Sequence, residues 1–327
     1  MSKLKKSKKG LIIIIILCAV FLINFIITKL VYDSCFIFNI DTDQAYTYIL
    51  NDFREVYFES GKNTLSAYLY DAKALKTGEE TSSKGSDKTC KNDALIVIAP
   101  GLNAQALDYR HQIKSFVDNG FSVFVFNPTG IAQSEGYSSV GFSQELIDLD
   151  CALDFIESKD NFGYNHIILF GHSVGGYAVS CVSAYGHTVD AVVSVSGINS
   201  AMEGVMEPSV KTIGYIAYAD YPMLWLYQAI LFGADNVNIC ANDVISSNDT
   251  PTMIIHGKGD ERVSYEQYSI ISHKDDIDNK NAEFLLWDNP QNDGHVDILY
   301  DNNGFNNELM DKINNFIKES LNQRGEK

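Results

Sequence analysis

The chain has no Cys-x-x-Cys pair and no zinc-type ligand spacing, although it contains six cysteines: Cys18, Cys35, Cys90, Cys151, Cys181 and Cys240. Cys18 lies inside an apolar run, which leaves an odd number elsewhere, so neither a disulfide framework nor a structural metal site is expected. Internal repeats are also absent, which argues against a solenoid or propeller. Positive charge is scarce beyond the N-terminus. Once Lys3, Lys5, Lys6, Lys8, Lys9 and Lys29 are set aside, 19 basic side chains face 42 acidic ones, a net charge near −23. Such a surface repels nucleic acid, so no nucleic-acid partner is expected, and its plainer role is to keep the domain in solution.

The N-terminus lacks acidic residues altogether, and no small-residue cleavage site follows its apolar run. Five lysines in the first nine residues precede a stretch from Leu11 to Ile27 that continues through Thr28 and Lys29 to Tyr32. At ~1.5 Å per residue the run reaches roughly 30 Å, the thickness of a bilayer's hydrocarbon core. A secretory signal has an apolar region of about 7–15 residues and ends at small residues. Cys18 follows Leu17 rather than a small residue, which also disfavours a lipoprotein-type cut. An uncleaved anchor is therefore expected, with Asn24 as a tolerable polar intruder. The lysines place the N-terminus in the cytoplasm and everything after Tyr32 outside it.

Beyond the anchor, a helix is expected over Asp41–Phe53, then a hairpin of Arg54–Ser60 and Thr64–Tyr70 joined at Gly61-Lys62-Asn63. Asp71 to Asp93 reads as a polar loop. Apolar strand-like runs follow at Ala94–Ala99, Phe121–Phe126, Ile167–Phe170, Asp190–Ser196, Thr252–His256 and Ala282–Trp287. Helical periodicity separates them at Tyr109–Asp118, Ser143–Ser158, Tyr265–Lys274 and Glu308–Leu321. This alternation predicts an α/β protein with a mostly parallel sheet covered by helices on both faces. Between Gly197 and Asp249 it is interrupted by a helical segment rich in Tyr215, Tyr218, Tyr221, Trp225, Tyr227 and Phe232. That segment is expected to cap the sheet's C-terminal edge, most of its aromatics forming the cap's own core and two or three facing a pocket.

The chemistry centres on Gly171-His172-Ser173-Val174-Gly175, placed between a strand and a helix. A serine held in so sharp a turn leaves no room for side chains two residues away on either side, and Gly171 and Gly175 supply that room. A serine hydroxyl is a weak nucleophile and needs a base, which in turn needs an orienting acid. In chain order the candidates are Ser173, Asp260 just past one strand, and His295 in the loop past the next. Asp243, Asp249 and Asp293 stand as fallback acids. His172 and His256 read as structural, and His111, His166, His187 and His273 lack the placement of His295. Oxyanion donors are expected from the N–H groups of Val174, after the nucleophile, and Leu102, after the first central strand, with Gly101 permitting close approach.

From about Arg54 to Leu321 the chain resembles the alpha/beta-hydrolase superfamily. Gly171-His172-Ser173-Val174-Gly175-Gly176, His256-Gly257-Lys258-Gly259-Asp260 and Gly294-His295 look like the group of serine aminopeptidase-like and lipase-like bacterial hydrolases, some of which carry an N-terminal anchor. The resemblance implies a Ser173–His295–Asp260 triad, an acyl-enzyme and no cofactor. Two positions depart from it: Pro100-Gly101 stands where members often have His-Gly, and Asn127-Pro128-Thr129-Gly130 stands where they have Asp-x-Arg-Gly.

The expected organisation is a basic tail over residues 1–10, an anchor over 11–32 and a membrane-proximal segment over 33–53. A hydrolase domain over 54–196 and 250–321 follows, with a cap over 197–249. The expected function is an extracytoplasmic serine hydrolase acting on a small or lipid-like acyl ester. Two other readings stand beside it: a peptidase whose Glu203, Glu207 or Asp220 binds a substrate ammonium, and a non-catalytic binding protein on the same scaffold.

Overall fold

A computed structural model describes residues 2–36, 50, 52–72, 93–300 and 304–325. Its centre is one eight-stranded sheet: β1 (Arg54–Ser60), β2 (Asn63–Tyr70), β3 (Ala94–Ala99), β4 (Ser122–Phe126), β5 (His166–His172), β6 (Ala191–Val195), β7 (Thr252–Gly257) and β8 (Ala282–Trp287). The spatial order is β1-β2-β4-β3-β5-β6-β7-β8. β1 and β2 form a hairpin at one edge, β2 runs antiparallel to both β1 and β4, and all other neighbouring pairs are parallel. The strands β3 to β7 are buried apolar runs because both of their faces are covered, whereas the edge strand β8 exposes Phe284 and Leu286. Successive side chains go to opposite faces, so Leu95, Val97 and Leu169 pack under α3 (Phe142–Ser158) and α4 (Val174–Cys181). Ile96, Ile98, Ile168 and Phe170 pack instead against α2 (Arg110–Asp118) and α9 (Asn307–Gly325).

The helix expected over Asp41–Phe53 falls almost wholly outside the described residues, and Leu50, Asp52 and Phe53 within them are not helical. Most of the expected loop over Asp71–Asp93 lies outside them too. Two expectations are corrected. Tyr265–Lys274 is not a helix: Tyr268 lies in a turn and a 3-10 stretch runs over Ile270–Asp276. Ser269 bridges Ile198, and its side chain caps the 3-10 turn, so the local pairing interrupts a segment whose apolar spacing alone reads as helical. The second correction concerns the aromatic segment.

That segment forms α5 (Ala201–Ile213), a 3-10 stretch over Gly214–Asp220, α6 (Tyr221–Phe232), and the short α7 (Ala234–Val237) and α8 (Ala241–Ser246). None of Tyr215, Tyr218, Tyr221, Trp225, Tyr227 and Phe232 lines the cavity above the sheet. The physical reason is α1 (Ser2–Phe36), which takes the apolar face of α6 for itself. Phe25, Thr28, Tyr32 and Phe36 recur at helical spacing, and Tyr32 and Phe36 are buried with Met202, Met206, Leu224, Tyr227 and Phe232. Burying a phenylalanine of this kind contributes about 1.5–3 kcal/mol. Polar bonds register the contact: Tyr227 Oη donates to Asp33 at 2.6 Å, and Thr28 Oγ1 donates to Asp220 at 2.9 Å. Gly141, just before α3, faces both helices, since a Cβ there would stand 2.2 Å from Tyr32 Oη and 2.9 Å from Phe232.

The departure at Asn127–Gly130 has a structural counterpart in uncharged donors around a buried acid. Asp148 on α3 accepts from the N–H and hydroxyl of Thr129 at 2.7 and 2.9 Å, from Ser60 at 2.7 Å and from Gln144 at 2.9 Å. Burial raises the Asp148 carboxyl despite these bonds. One turn earlier, Glu145 is fully buried, and one of its oxygens has no partner. Burial first, and the nearby Asp148 second, hold the Glu145 carboxyl well above its ordinary value.

Two predictions follow from this packing. Gly141→Leu overpacks the contact and costs roughly 1–3 kcal/mol; thermal unfolding in detergent should show the loss, and Tyr32→Ala in the same chain should recover part of it. Glu145 keeps its proton when folded but gives it up from about pH 4.5 when unfolded. Its contribution to stability is therefore present at low pH and is lost as the pH rises. Denaturant titrations should show Glu145→Gln gaining on the parent protein between pH 4 and pH 8, and an unchanged gap would contradict a neutral Glu145.

Candidate active site

Ser173 sits between β5 and α4 with φ 58° and ψ −122°, a conformation that costs a non-glycine residue about 1–3 kcal/mol and persists only where its surroundings enforce it. The enforcement is packing. A Cβ on Gly171 would stand 2.1 Å from the Gly175 carbonyl oxygen, and one on Gly175 would stand 2.1 Å from that of Ala99. The Ser173 N–H donates to Val195 O at 2.9 Å and ties the turn to the neighbouring strand.

The C-terminal ends of β7 and β8 deliver the partners. Ser173 Oγ is 2.8 Å from His295 Nε2, and His295 Nδ1 is 2.7 Å from Asp260 Oδ2. A carboxylate at Nδ1 keeps the proton on that nitrogen and leaves Nε2 as the acceptor for the serine hydroxyl. Asp260 Oδ1 accepts the N–H groups of Arg262 and Val263, both at 2.9 Å. Burial alone would raise this acid; hydrogen bonds from His256 and His295 overcome it and hold the carboxyl far below the usual range. Asp260 is thus a fixed anion under the histidine. The fallback acids Asp243, Asp249 and Asp293 do not bond to His295.

Two residues reach the site that sequence reasoning left aside or read as structural. His256 Nε2 lies 3.1 Å from Asp260 Oδ2 and 3.0 Å from the Val263 carbonyl, fixing the acid from below. The four-residue spacing from His256 to Asp260 was the available signal. Tyr109 gave no such signal. Its hydroxyl accepts the Gly101 N–H at 2.8 Å and donates to His172 Nδ1 at 3.1 Å, while His172 Nε2 donates to the His295 carbonyl at 2.8 Å. A buried tyrosine and histidine therefore link the loop holding Leu102 to the backbone of His295. Burial, and then the neighbouring His295, lower the His172 imidazole to about 3, so it stays neutral and its donor and acceptor assignments do not switch near neutral pH.

Ser173, His295, Gly101, Leu102 and Phe142 line a cavity of about 650 Å³. Val174 opens α4, where a backbone N–H has no acceptor one turn back. The cap side of the cavity is α5, through Gly204, Glu207, Pro208 and Lys211. Among the described residues, Asp150, Asp154 and His187 bring metal-ligand atoms together away from this cavity. Both nitrogens of His187 are already bonded at 2.8 Å, to Asp150 and Glu157, which describes an ion-paired surface histidine. Of the six cysteines, Cys18, Cys35, Cys151, Cys181 and Cys240 are unpaired, and Cys90 lies outside the described residues.

Comparison with known proteins bears on the fold that carries this geometry. Residues 90–234 match the family model described as serine aminopeptidase, S33. An esterase of Pyrococcus furiosus superposes with a TM-score of 0.58 at 18% identity, over 83% of this chain and 93% of its own. Est1E of Butyrivibrio proteoclasticus, solved with ferulic acid bound, gives 0.56 at 16% identity, over 83% and 100%. The alpha/beta hydrolase GrgF of a Penicillium species gives 0.57 at 16% identity, over 83% and 99%. No curated protein sequence matches the chain. The chain has the alpha/beta-hydrolase fold.

The steric and polar supports of the site are testable separately. Gly175→Ala should fail to give folded protein, because the clash is with backbone rather than with a side chain that can rotate away. Tyr109→Phe leaves the Gly101 N–H unpaired in a buried site, which costs about 1–3 kcal/mol. Chemical denaturation should register that loss, with His172→Ala giving a comparable effect and the double variant less than the sum.

Proposed function

We propose that the protein is a membrane-anchored serine hydrolase that cleaves carboxylic ester bonds through an acyl-enzyme, with its hydrolase domain outside the cytoplasm. The observation that carries this reading is the continuous path from Ser173 through His295 to Asp260 at 2.8 and 2.7 Å, opening into the cavity. Ser173 Oγ attacks the ester carbonyl carbon while His295 Nε2 takes its proton, and Asp260 stabilises the imidazolium that forms. The N–H groups of Leu102 and Val174 receive the oxyanion, assisted by the positive end of α4. His295 then returns the proton to the departing alkoxide, and the alcohol leaves. Water, deprotonated by the same imidazole, attacks the acyl-enzyme and releases the acid and Ser173.

Esterases among the structural neighbours support the ester reading over the peptidase one, and so do the acids a peptidase would need. Glu207 lines the cavity but is paired with Lys211 at 2.9 Å and with the Ser264 N–H at 2.7 Å. Asp220 is bonded to Thr28, and Glu203 lies near His273 at 3.6 Å. Glu207 is the one of the three that lines the cavity, and its Oε1 already faces the Lys211 ammonium. The intact Ser173–His295–Asp260 chain argues against a binding protein that has lost catalysis.

The anchor reading draws on the burial of Tyr32 and Phe36, since a leader removed after export would take two core side chains of the cap with it. The N-terminal lysines orient the helix with the tail inside. The segment over 197–249 then serves as the cap and 54–196 with 250–321 as the hydrolase domain.

Ser173→Ala should abolish labelling by a serine-reactive fluorophosphonate and lower turnover of a short-chain aryl ester by at least about a thousandfold. Full turnover in that variant would remove the proposed nucleophile. Asp260→Asn, which keeps shape but not charge, should lose a similar factor in kcat with little change in KM. Chain-length series of acyl esters run beside aminoacyl anilides would separate esterase from peptidase.

A further inference from the structure

The cap exposes an apolar ridge whose place in the fold is set by α1. Ile213, Tyr215 and Ile216 stand at the end of α5 and in the turn after it, with Tyr215 73% and Ile216 72% exposed. Ile230, on α6, is exposed as well. Ile213, Tyr215 and Ile216 lead into the segment that ends at Asp220, and Asp220 is the residue bonded to Thr28 at 2.9 Å and to Asn24 at 3.3 Å. The run from Leu11 to Thr28 rises about 27 Å at ~1.5 Å per residue, close to the thickness of a hydrocarbon core. Asp220 is therefore held at the height where that run ends. Lys29, ion-paired with Asp33, begins the polar side of the same boundary.

The ridge also adjoins the cavity. Lys211 and Pro208 line it, and two residues after Lys211 the same helix reaches Ile213. Leu102 and Phe142 line the cavity too and also pack on the cluster formed by α1 and the cap, where Phe142 meets Phe36 edge-on at 5.1 Å. The space above Ser173 is thus separated from α1 by a single layer of side chains.

We propose that Ile213, Tyr215 and Ile216 insert into the outer interface of the bilayer that α1 crosses, so that the cavity takes acyl esters of amphiphiles resident in that leaflet. The proposal rests on the ester-hydrolase reading for its substrate class and on the anchor reading of α1, with the geometry above, for the membrane contact. Exposed apolar side chains at the height of an apolar spanning helix lose water by lying against lipid. An acyl chain leaving the leaflet beside this ridge enters the cavity past Lys211 without crossing bulk water.

The full-length protein reconstituted in vesicles of phosphatidylcholine, a zwitterionic lipid that removes charge repulsion from the acidic domain, tests both parts. Ile216→Trp should show fluorescence, above the signal of Trp225 and Trp287, that is quenched at least about twofold when brominated acyl chains replace ordinary ones. Tyr57→Trp, on the exposed edge strand β1, should show no added quenching. Equal behaviour of the two variants would overturn the contact whatever the enzyme's activity. The double variant Tyr215→Ser with Ile216→Ser should hydrolyse a water-soluble acetyl ester as the parent does, and a long-chain ester dissolved in the vesicles at least about fivefold more slowly. Equal loss on both esters, or no loss on either, would overturn delivery from the leaflet. If the parent protein cleaved neither ester and resisted the fluorophosphonate, the hydrolase reading and with it the substrate would fail, and the quenching result would stand on its own.

Discussion

Everything at the site depends on how closely α4 can approach the ends of β3 and β5. At Gly171 and Gly175 the approach leaves space only for hydrogen, and the backbone of Ser173 is forced to φ 58° between them. The same closeness brings the first N–H groups of α4 beside the loop that carries Leu102, and fixes the hydroxyl 2.8 Å from His295. Larger side chains at either glycine would separate strand from helix and disperse all of these at once. The strain at Ser173 is repaid by the sheet, through the bond to Val195 and the buried faces of β5 and β6.

A second layer holds the charged partners still. Asp260 receives two backbone N–H groups and two histidines, and its negative charge is the product of those bonds rather than of solvent. His172 is the complementary case: a histidine adjacent to the nucleophile that burial keeps uncharged. Because it cannot gain a proton near neutral pH, it places no cation beside His295, and its two hydrogen bonds persist there.

Much of this was legible from sequence because it depends on local pattern. Continuous apolar runs mark strands covered on both faces, and the glycines flanking Ser173 mark the turn between β5 and α4. Chain order was enough to single out Asp260 and His295, since a parallel sheet collects its strand ends on one edge. What escaped reading depends on contacts distant in sequence. Tyr109 has no local mark as a link between Gly101 and His172. The aromatics of α6 have the composition of a pocket lining, and only the packing of α1, nearly two hundred residues earlier, assigns Tyr227 and Phe232 to another surface. The helix expected over Tyr265–Lys274 failed for a similar reason, as the bridge between Ser269 and Ile198 interrupts a locally helical pattern.

The burial of Tyr32 and Phe36 in the cap also changes what α1 is mechanically. A flexible tether would let a catalytic domain tumble, so that its cavity sampled every direction and met ligands in proportion to their number per unit volume. A helix packed into the cap through Phe25, Thr28, Tyr32 and Phe36 acts as a rigid mount, with one orientation and one height. With α1 in a bilayer as proposed, the encounter of Ser173 with anything held in that plane is governed by lateral diffusion and by number per unit area.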